Sequence, residues 1–465
     1  MDPRAPHFVG IGGAGMSGLA KIYATRGARV SGSDAKESGT VAALRALGAR
    51  IGIGHDAANL PADADCVVVS SAIRPENPEL VAARERGLPV LHRADALAAL
   101  MAGRRAIAVA GTHGKTTTTS MLAVALSALG LDPSYAIGGD LKEPGSNARH
   151  GAGEIFVAEA DESDRSFHKY APEVAIVLNV ELDHHANYAS LDAVFESFET
   201  FVSRVAPGGT LVVDADHPGS AELAERVATR AGRGDLSIVT VGEAEGARYR
   251  IRSITPRGMS SEVLVEADGE EIALTVNVPG RHYAHNAVAT LAAGAALGVP
   301  AAELAKALAE YTGVGRRLQL KGTARGVQVI DSYAHHPTEI AADLAAIREG
   351  AAGSRVLVVF QPHLFSRTQQ LGTEMGEALA KADAALVLDI YPAREDPVPG
   401  VTSEIIIEAA RAAGGDARPV HEMAAVPSLI AELAREGDLV LTMGAGDVTA
   451  LGPEILDRLA GVETD

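Results

Sequence analysis

Short apolar runs rich in Val and Ile alternate with Ala- and Leu-rich stretches along almost the whole chain. Runs of four to eight such residues are typical of buried strands, and the longer stretches with periodic polar positions are typical of helices. The alternation therefore predicts βα units around largely parallel sheets, which is an α/β fold.

Glycines and prolines divide this pattern into three blocks, which predict three domains. Residues 1–103 contain strands at HFVGIGG, RVSGSD, CVVVSSAI and LPVLH and a helix near residues 16–26, which predicts a Rossmann-like domain. Residues 104–317 begin with the strand RAIAVAG and include three strand-like runs over residues 247–278, which predict a mixed sheet ending in an antiparallel meander. Residues 318–465, with strands at VQVIDSY, RVLVVFQPH, AALVLDIYP and DLVLTMGAG, predict a second Rossmann-like domain.

Composition narrows the possible partners and the compartment. The 465 residues include 41 basic and 60 acidic side chains, for a net charge of −19, and no Trp, so nucleic acid is excluded as a partner. The single cysteine, Cys66, lies in an apolar run and indicates a buried thiol in a reducing compartment. The first residues lack the apolar stretch of a secretory signal, so we predict a cytoplasmic protein that does not bind membranes.

The segment AVAGTHGKTTTT indicates a phosphate-binding loop. An apolar strand leads to Gly111 and Gly114, then to Lys115 and Thr116, and a helix follows. Glycines allow main-chain N–H groups to surround phosphates, the lysine neutralises phosphate oxygens, and Thr116 or Thr117 can hold Mg²⁺. The spacing differs from the general G-x-x-x-x-G-K-[ST] pattern, and the alternative is a tight turn with a surface lysine. We predict a P-loop ATPase-type central domain.

A second glycine turn lies in FVGIGGAGMSG. Gly10, Gly12 and Gly15 form G-x-G-x-x-G after the first strand, and Asp34 ends the second strand. This pattern fits a dinucleotide, but a UDP-sugar diphosphate fits equally well, and a purely structural turn is the remaining alternative. Because the chain already has a predicted ATP loop, a second nucleotide site suggests a nucleotide-linked substrate.

Acidic residues and histidines follow two strands of the middle block. Glu159 is followed by Asp161, Glu162 and Asp164 in VAEADESD, and His184 follows the strand VAIVLNV. Carboxylates at the carboxyl end of a strand that faces a phosphate loop are suitable Mg²⁺ ligands, and one or two of the four can face the ion. His184 is predicted to assist a phosphate or Mg²⁺ site.

The motifs GIGGAGMSGLA, GTHGKTTTT, VAEADESD, ELDHH, PGRHYAHNA, GVGRR, DSYAHHPTE and FQPHLFSRT stand in this order across almost the whole chain. The set resembles the Mur ligases, and within that family the members that add L-alanine. The resemblance implies an ATP-dependent amide ligase of peptidoglycan synthesis, which joins L-alanine to UDP-N-acetylmuramate through an acyl phosphate. ATP and Mg²⁺ (or Mn²⁺) are the implied cofactors, and the partners are small-molecule substrates.

The motifs and the resemblance together assign individual residues. They assign catalysis to Lys115, Glu159, His184 and His335; metal binding to Thr116, Glu159 and His184; ATP binding to Gly111, Thr112, His113, Gly114, Lys115, Thr116, Thr117, His282, Asn286, Arg317 and Asp331; UDP-substrate binding to Gly10, Gly12, Gly13, Gly15, Asp34, Ser71 and Asn147; and L-alanine binding to Tyr333, His335, His363 and Arg367.

The chain departs from the family pattern at two positions. Leu364 follows the histidine of FQPH, where some alanine-adding relatives have arginine, so recognition of the amino-acid carboxylate rests on Arg367. Ala186 stands where members often have a second acid. The segment AVFESFETFV has no lysine, so the modified lysine of other members is not predicted.

Other interpretations stay open at this point. A related ligase attaches a murein tripeptide to the same UDP-sugar, and an NAD-dependent dehydrogenase or a non-enzymatic ATP-driven switch would use the glycine turns differently. The predicted state is a monomer or a homodimer. The sequence does not decide between alanine, serine and glycine as the amine.

Overall fold

The computed structural model describes residues 3–141, 146–183, 187–229, 234–351, 353–393 and 395–461, whose strands form three sheets. This confirms the predicted α/β fold. By their contacts the residues group into two units, Met1–Ser253 with Val263–Thr275 and His285–Tyr311, and Ile254–Glu262 with Val276–Ala284 and Thr312–Asp465. The division into domains after residues 103 and 317 stays a prediction.

The first sheet lies in the first unit and its strands are parallel. Its strands are β1 (Pro6–Val9), β2 (Ser31–Asp34), β3 (Arg50–Ile53), β4 (Cys66–Val69) and β5 (Val90–His92), and its helices are α1 (Ala14–Thr25), α2 (Gly39–Ala46), α3 (Pro78–Glu85) and α4 (Arg93–Met101). The order β3-β2-β1-β4-β5 reverses direction between β1 and β4. Ligands of doubly wound sheets bind at such a reversal, and the first glycine turn, between β1 and α1, lies there.

The second sheet has a parallel centre. Its strands are β6 (Arg105–Ala110), β7 (Ser134–Ala136), β8 (Ala148–Arg149), β9 (Ile155–Glu159), β10 (Val174–Val177), β11 (Thr210–Asp214), β12 (Ser237–Gly242), β13 (Tyr249–Pro256), β14 (Ser261–Ala267) and β15 (Glu270–Val276), in the order β15-β14-β13-β12-β11-β10-β6-β9-β7-β8. Its helices are α5 (Lys115–Ala128), α6 (Leu191–Val202), α7 (Pro218–Thr229), α8 (Arg281–Ala296) and α9 (Ala301–Ala307). Because β6 lies between β10 and β9, the segments that follow these two strands flank the phosphate loop.

Apolar side chains of these two sheets belong to a common core. Phe8 of β1 and Ile11 of the turn after it belong to the same buried cluster as Phe156 of β9 and Phe198 of α6. Burial of large apolar side chains is the main favourable term in folding, so this shared core fixes the first glycine turn relative to the central sheet.

The third sheet lies in the second unit. Its strands are β16 (Gln319–Ala324), β17 (Val327–Ser332), β18 (Val356–Phe360), β19 (Ala384–Leu388), β20 (Ala417–Val420) and β21 (Leu439–Met443), and its helices are α10 (Pro337–Gly350), α11 (Phe365–Leu379), α12 (Glu404–Ala412), α13 (Val426–Leu433) and α14 (Leu451–Ala460). The order is β16-β17-β21-β18-β19-β20, and the edge strand β16 pairs with β17 antiparallel.

The strand prediction is incomplete in all three sheets. The sequence does not predict β3, β7, β8, β11, β12, β16 or β20, and of these β11 and β12 lie inside the second sheet. Helix α1 begins at Ala14, two residues before the predicted start. β16 contains Gly322 at a register shift, and β20 contains Pro419, so neither has the continuous apolar run of a central strand. In the described part of the chain no helix is long and apolar enough to cross a membrane.

Candidate active site

The phosphate loop joins β6 to α5, and its glycines have left-handed backbone conformations. Gly111 has a φ of +139° and Gly114 a φ of +84°. A Cβ atom at Gly114 would lie 2.9 Å from Oδ1 of Asn286 and 2.9 Å from Cδ1 of Leu178. Both conformation and space therefore require glycine at position 114. The same distances bring Asn286, a predicted ATP contact, next to the loop.

The segment after β10 supports this loop through hydrogen bonds. The N–H of His113 donates to Oδ1 of Asn179 at 2.7 Å, and Nδ2 of Asn179 donates to the carbonyl of His113 at 3.1 Å. The N–H of Glu181 donates to Oγ1 of Thr112 at 2.9 Å. The sequence did not predict Asn179 or Glu181, although polar residues at and directly after the end of the apolar run VAIVLNV were a signal that could have found them.

Lys115 turns back into the loop that contains it. Its Nζ donates to the carbonyls of Gly111 at 2.6 Å and Thr112 at 3.1 Å. It also lies 2.8 Å from Oε2 of Glu162, whose side chain is 3% exposed. Although burial opposes the charged form, the Glu162 carboxylate raises the pKa of Lys115. A charged ammonium therefore lies inside a loop whose N–H groups favour anions.

Two of the predicted metal ligands, Thr116 and Glu159, meet at the start of α5. Oγ1 of Thr116 donates to Oε1 of Glu159 at 3.1 Å, and Oε2 of Glu159 accepts from the N–H of Gly138 at 2.7 Å. A hydroxyl and a carboxylate at this separation fit a hard divalent ion. The predicted third ligand, His184, lies outside the described residues.

Helix α8 carries the predicted nucleotide contacts His282 and Asn286, with His285 between them. His282 belongs to the second unit, where its Nε2 lies 3.6 Å from Oδ1 of Asp343. His285, which the sequence analysis did not select, has its Nδ1 2.8 Å from Oδ2 of Asp214. Burial opposes protonation, but the hydrogen bond to Asp214 raises the pKa of His285. This ion pair anchors α8 to the end of β11, one residue before Asn286.

The first glycine turn is held mainly by its own sheet. The N–H of Gly10 donates to the carbonyl of Ser33 at 2.9 Å, and the N–H of Gly13 donates to the carbonyl of Gly10 at 3.1 Å. The N–H of Gly12 donates to Oδ2 of Asp34 at 2.8 Å. The acid that the fingerprint assigns to a ribose therefore accepts a hydrogen bond from the turn.

The other predicted UDP-substrate contacts lie at two nearby places. Nδ2 of Asn147, which precedes β8, donates to the carbonyl of Ala14 at the start of α1, at 3.3 Å. Oγ of Ser71 donates to Oδ2 of Asp164 at 3.0 Å and lies 3.2 Å from Nε2 of His92. The structure therefore brings Asn147 to the glycine turn and Ser71 to the acidic segment after β9.

In the second unit, the residues predicted for L-alanine form a row of rings. The ring centroids of Tyr333 and His335 lie 5.3 Å apart, and those of His335 and His363 lie 6.0 Å apart. The guanidinium carbon of Arg317 lies 5.1 Å from the Tyr333 centroid. Arg367, in the first turn of α11, is 7% exposed. The structure therefore brings the rings of Tyr333, His335 and His363 together, and their predicted role in L-alanine binding stays a prediction.

Asp331 is engaged by its own sheet. Its side chain is fully buried and accepts hydrogen bonds from Oγ1 of Thr442 at 2.9 Å and from Oγ1 of Thr449 at 2.5 Å. Nε of Arg316 lies 3.7 Å away. These contacts neutralise a buried carboxylate at the end of β17. The predicted role of Asp331 in ATP binding stays a prediction.

Residues that the sequence analysis did not select support the start of α11. Leu364 has a φ of +72°, which is uncommon for a branched side chain, and its N–H donates to the carbonyl of Tyr391 at 2.9 Å. The Tyr391 ring stacks on His363 with centroids 5.8 Å apart. Oε2 of Glu395 accepts from the N–H of Ser366 at 2.9 Å, so a carboxylate lies at the positive end of α11.

Family models place this fold and this loop in a known class of enzymes. The model described as "Mur ligase family, catalytic domain" matches residues 6–105, "Mur ligase middle domain" matches residues 109–294, and "Mur ligase, glutamate ligase domain" matches residues 316–446. The chain belongs to the Mur ligase family, whose enzymes use ATP.

Within that family, relatives of high identity over nearly the whole chain share one name. The chain is 72% identical to the UDP-N-acetylmuramate–L-alanine ligase of Streptomyces coelicolor over 98% of this chain and 97% of the relative. It is 54% identical to the enzyme of the same name from Saccharopolyspora erythraea over 97% of this chain and 92% of the relative.

Two solved structures match the chain over its whole length at lower identity, and their names give two different ligase activities. UDP-N-acetylmuramate–alanine ligase MurC of Thermotoga maritima matches with a TM-score of 0.81 and 30% identity, covering 99% of this chain and 100% of that one. A murein peptide ligase of Psychrobacter arcticus matches with a TM-score of 0.69 and 25% identity, covering 99% and 100%.

Proposed function

We propose that this chain is an ATP-dependent ligase that joins L-alanine to the carboxylate of UDP-N-acetylmuramate. The products are UDP-N-acetylmuramoyl-L-alanine, ADP and phosphate, in peptidoglycan synthesis. The observation that carries the proposal is the phosphate loop, in which a charged Lys115 lies beside the Thr116–Glu159 oxygen pair. The 72% identity to an alanine-adding relative supports the choice of substrates.

The reaction needs ATP because a carboxylate and an amine form a salt, not an amide, at neutral pH. A carboxylate oxygen attacks the γ-phosphorus of ATP, the bond from that phosphorus to the bridging oxygen breaks, and ADP leaves. The nitrogen of neutral L-alanine then attacks the acyl carbon, and the bond to the phosphate oxygen breaks. One proton leaves the alanine ammonium before attack and a second leaves as the amide forms.

Lys115 and the metal ligands act on the phosphates. In this proposal Lys115 exchanges its loop carbonyls for β- and γ-phosphate oxygens and neutralises their charge during transfer. Thr116, Glu159 and His184 would hold Mg²⁺, and Mn²⁺ accepts the same ligands. When bound, the ion would supply positive charge to the transferring phosphoryl group.

We assign the UDP-linked substrate to the first glycine turn and to Ser71 and Asn147. The turn opens at the N-terminus of α1, where main-chain N–H groups favour a diphosphate. Asn147 supports this assignment because its amide reaches the start of α1. The substrate domain would then be residues 1–103, followed by an ATP domain over residues 104–317.

We assign L-alanine to residues 318–465, with Tyr333, His335, His363 and Arg367 as its contacts. Arg367 would bind the amino-acid carboxylate. Nδ1 of His335 lies 2.9 Å from the carbonyl of Tyr333. Because a carbonyl only accepts, Nδ1 carries the proton and Nε2 is the basic nitrogen, which can take a proton from the attacking amine.

The test measures phosphate release from ATP with Mg²⁺ and UDP-N-acetylmuramate, with L-alanine, with the murein tripeptide, or with no amine. We expect release that depends on L-alanine and a product heavier by one alanine residue in mass spectrometry. Release only with the tripeptide would move the chain to the activity of its murein peptide ligase relative. Release without any amine or product would contradict the ligase assignment.

A further inference from the structure

The side chain of Arg93 lies against the first glycine turn, although the two are far apart in the sequence. Arg93 is the first residue of α4. A Cβ atom at Gly15 would lie 3.7 Å from both Cδ and Nη1 of Arg93. The Arg93 side chain therefore lies next to Gly15, in the first turn of α1.

The geometry of the turn leaves the start of α1 directed to solvent. The N–H groups of Met16 and Ser17 donate to the carbonyl of Gly13 at 2.9 and 2.8 Å, which begins the helical ladder. Ala14 and Gly15 precede these donors, and both residues are exposed. The first amides of a helix have no intrahelical acceptor, so they are directed at whatever anion occupies this edge.

Arg93 is held in place by the acidic segment after β9. Its Nη2 donates to Oδ2 of Asp161 at 2.6 Å, and Oδ2 of Asp164 lies 3.7 Å away. Burial opposes ionisation of Asp161, but the charges of Arg93 and Lys115 lower its pKa to about 2. Since a guanidinium has five N–H donors in a fixed plane, one edge can be fixed by Asp161 while Nη1 faces the turn.

We propose that Arg93 binds a phosphate oxygen of the UDP-linked substrate at the N-terminus of α1, and that Asp161 of the central sheet holds its guanidinium there. This rests on the proposed function, which assigns that substrate to the glycine turn. Since the residues from 10 to 15 carry no cation, Arg93 supplies the positive charge that a diphosphate needs. The affinity of the first sheet for its substrate then depends on the Asp161 carboxylate, which belongs to the second sheet.

A second ion pair joins the same two sheets and provides the control. Nζ of Lys169 lies 2.7 Å from Oδ2 of Asp95 on α4, and each side chain is 38% exposed. Asp95 is two residues after Arg93 in the same helix, but the Lys169 pair has no contact with the glycine turn among the described residues. Lys169→Ala therefore removes a bridge between the sheets and leaves the anion site unchanged.

The experiment is isothermal titration with UDP-N-acetylmuramate, with the ATP site filled by a non-hydrolysable ATP analogue and Mg²⁺. We expect Arg93→Ala to weaken binding about tenfold or more, because a charge-assisted hydrogen bond is lost. Arg93→Lys keeps the positive charge but loses the planar guanidinium with its paired N–H donors. Its affinity for UDP-N-acetylmuramate should therefore lie between that of Arg93→Ala and that of the wild type. The affinity of Lys169→Ala should stay within about twofold of the wild type, because an exposed ion pair contributes little free energy.

Ala14→Glu separates this inference from the proposed function. The exposed glutamate favours the helix N-terminus but repels a diphosphate, so it should weaken binding while the chain stays folded. If Ala14→Glu weakens binding and Arg93→Ala does not, the role of Arg93 is wrong and the substrate site stands. If neither variant weakens binding, the placement of the substrate at the first glycine turn is wrong, and so is the proposed role of Arg93. An equal loss of affinity in Arg93→Ala and Lys169→Ala would show that Arg93 only joins the two sheets and does not bind the substrate.

Discussion

The glycine turns at residues 10–15 and 111–115 each join a parallel strand to a helix, but their amides and charges have different partners. In the first turn, the N–H groups of Gly10 and Gly12 are bound by Ser33 and Asp34 of the adjacent strand β2. In the second, the supporting groups come from the segment after β10, and the turn contains its own lysine, Lys115.

The comparison shows how similar local motifs acquire different chemistry. The second turn contains glycines, cation and hydroxyl in consecutive residues, so its assignment follows from local sequence. The first turn contains glycines but no cation, and its charge comes from Arg93, which reaches it through the fold. The function of the first turn therefore depends on tertiary packing, and that of the second much less.

Lys115→Ala is expected to have the largest effect. It removes the charge inside the second turn, so turnover should fall about 10³-fold because nothing replaces that charge during phosphoryl transfer. Binding of the UDP-linked substrate at the first turn should stay unchanged. Phosphate release and calorimetry measure the two properties, with Lys169→Ala as a control that keeps its turnover. Near-normal turnover in Lys115→Ala would contradict the proposal that the second turn supplies its own positive charge for phosphoryl transfer.

Glu159→Gln tests the metal ligands of the second turn. The amide lacks the negative charge that a divalent ion requires, so turnover should fall about 10²-fold and half-maximal activity should need about tenfold more Mg²⁺. A titration with Mg²⁺ at saturating substrates measures this shift. Glu154→Gln, an exposed position at the other end of β9, is the matched control. An unchanged Mg²⁺ requirement would exclude Glu159 as a ligand.

Gly114→Ala tests the conformation of the second turn. The added Cβ would lie 2.9 Å from Oδ1 of Asn286 at a φ of +84°, so ATP binding should weaken about tenfold. Gly130→Ala is the control, because its φ is +74° but a Cβ there meets no described atom within 4 Å. That control should lose about 1 kcal/mol of stability and keep its ATP affinity. Equal ATP affinity in both variants would show that the space at Gly114 is not needed.

Asp34→Asn should have the smallest effect. The amide oxygen can still accept the hydrogen bond from Gly12, so affinity for the UDP-linked substrate should fall by about threefold or less. Calorimetry with the UDP-linked substrate and NADH fluorescence check this. Binding of NADH by the wild type, and its loss in Asp34→Asn, would instead favour a dinucleotide at the first turn.

The motifs and most central strands are predictable because neighbouring residues define them, although β11 and β12, inside the second sheet, were not predicted. The runs HFVGIGG and RAIAVAG lead directly into their glycine turns, and the structure confirms both strands. The short edge strand β20 was not predicted, because four residues that include Pro419 have no apolar periodicity. It forms because β19 offers a hydrogen-bonding edge, which is a property of the sheet.

The candidate site was also predictable only in part, since the sequence locates its acidic residues but not the partner of each one. Glu159, Asp161, Glu162 and Asp164 stand together in the sequence, and the sequence predicted that one or two would face a metal ion. The structure directs Glu159 to Thr116, Glu162 to Lys115, and the two aspartates to Arg93 and Ser71. The direction of each side chain depends on the strands and helices packed around the segment.

By itself, the sequence determined the α/β class and the strand, glycine turn and helix around Lys115, because neighbouring residues define them. It also predicted phosphate binding at that turn and an L-alanine site at Tyr333, His335, His363 and Arg367. Only the tertiary structure decided that Asn179 supports the loop, that Glu162 pairs with Lys115, and that Arg93 lies on the first glycine turn. These contacts join residues separated by tens of positions. They exist because strand order and a shared apolar core bring distant segments to the same sheet edge.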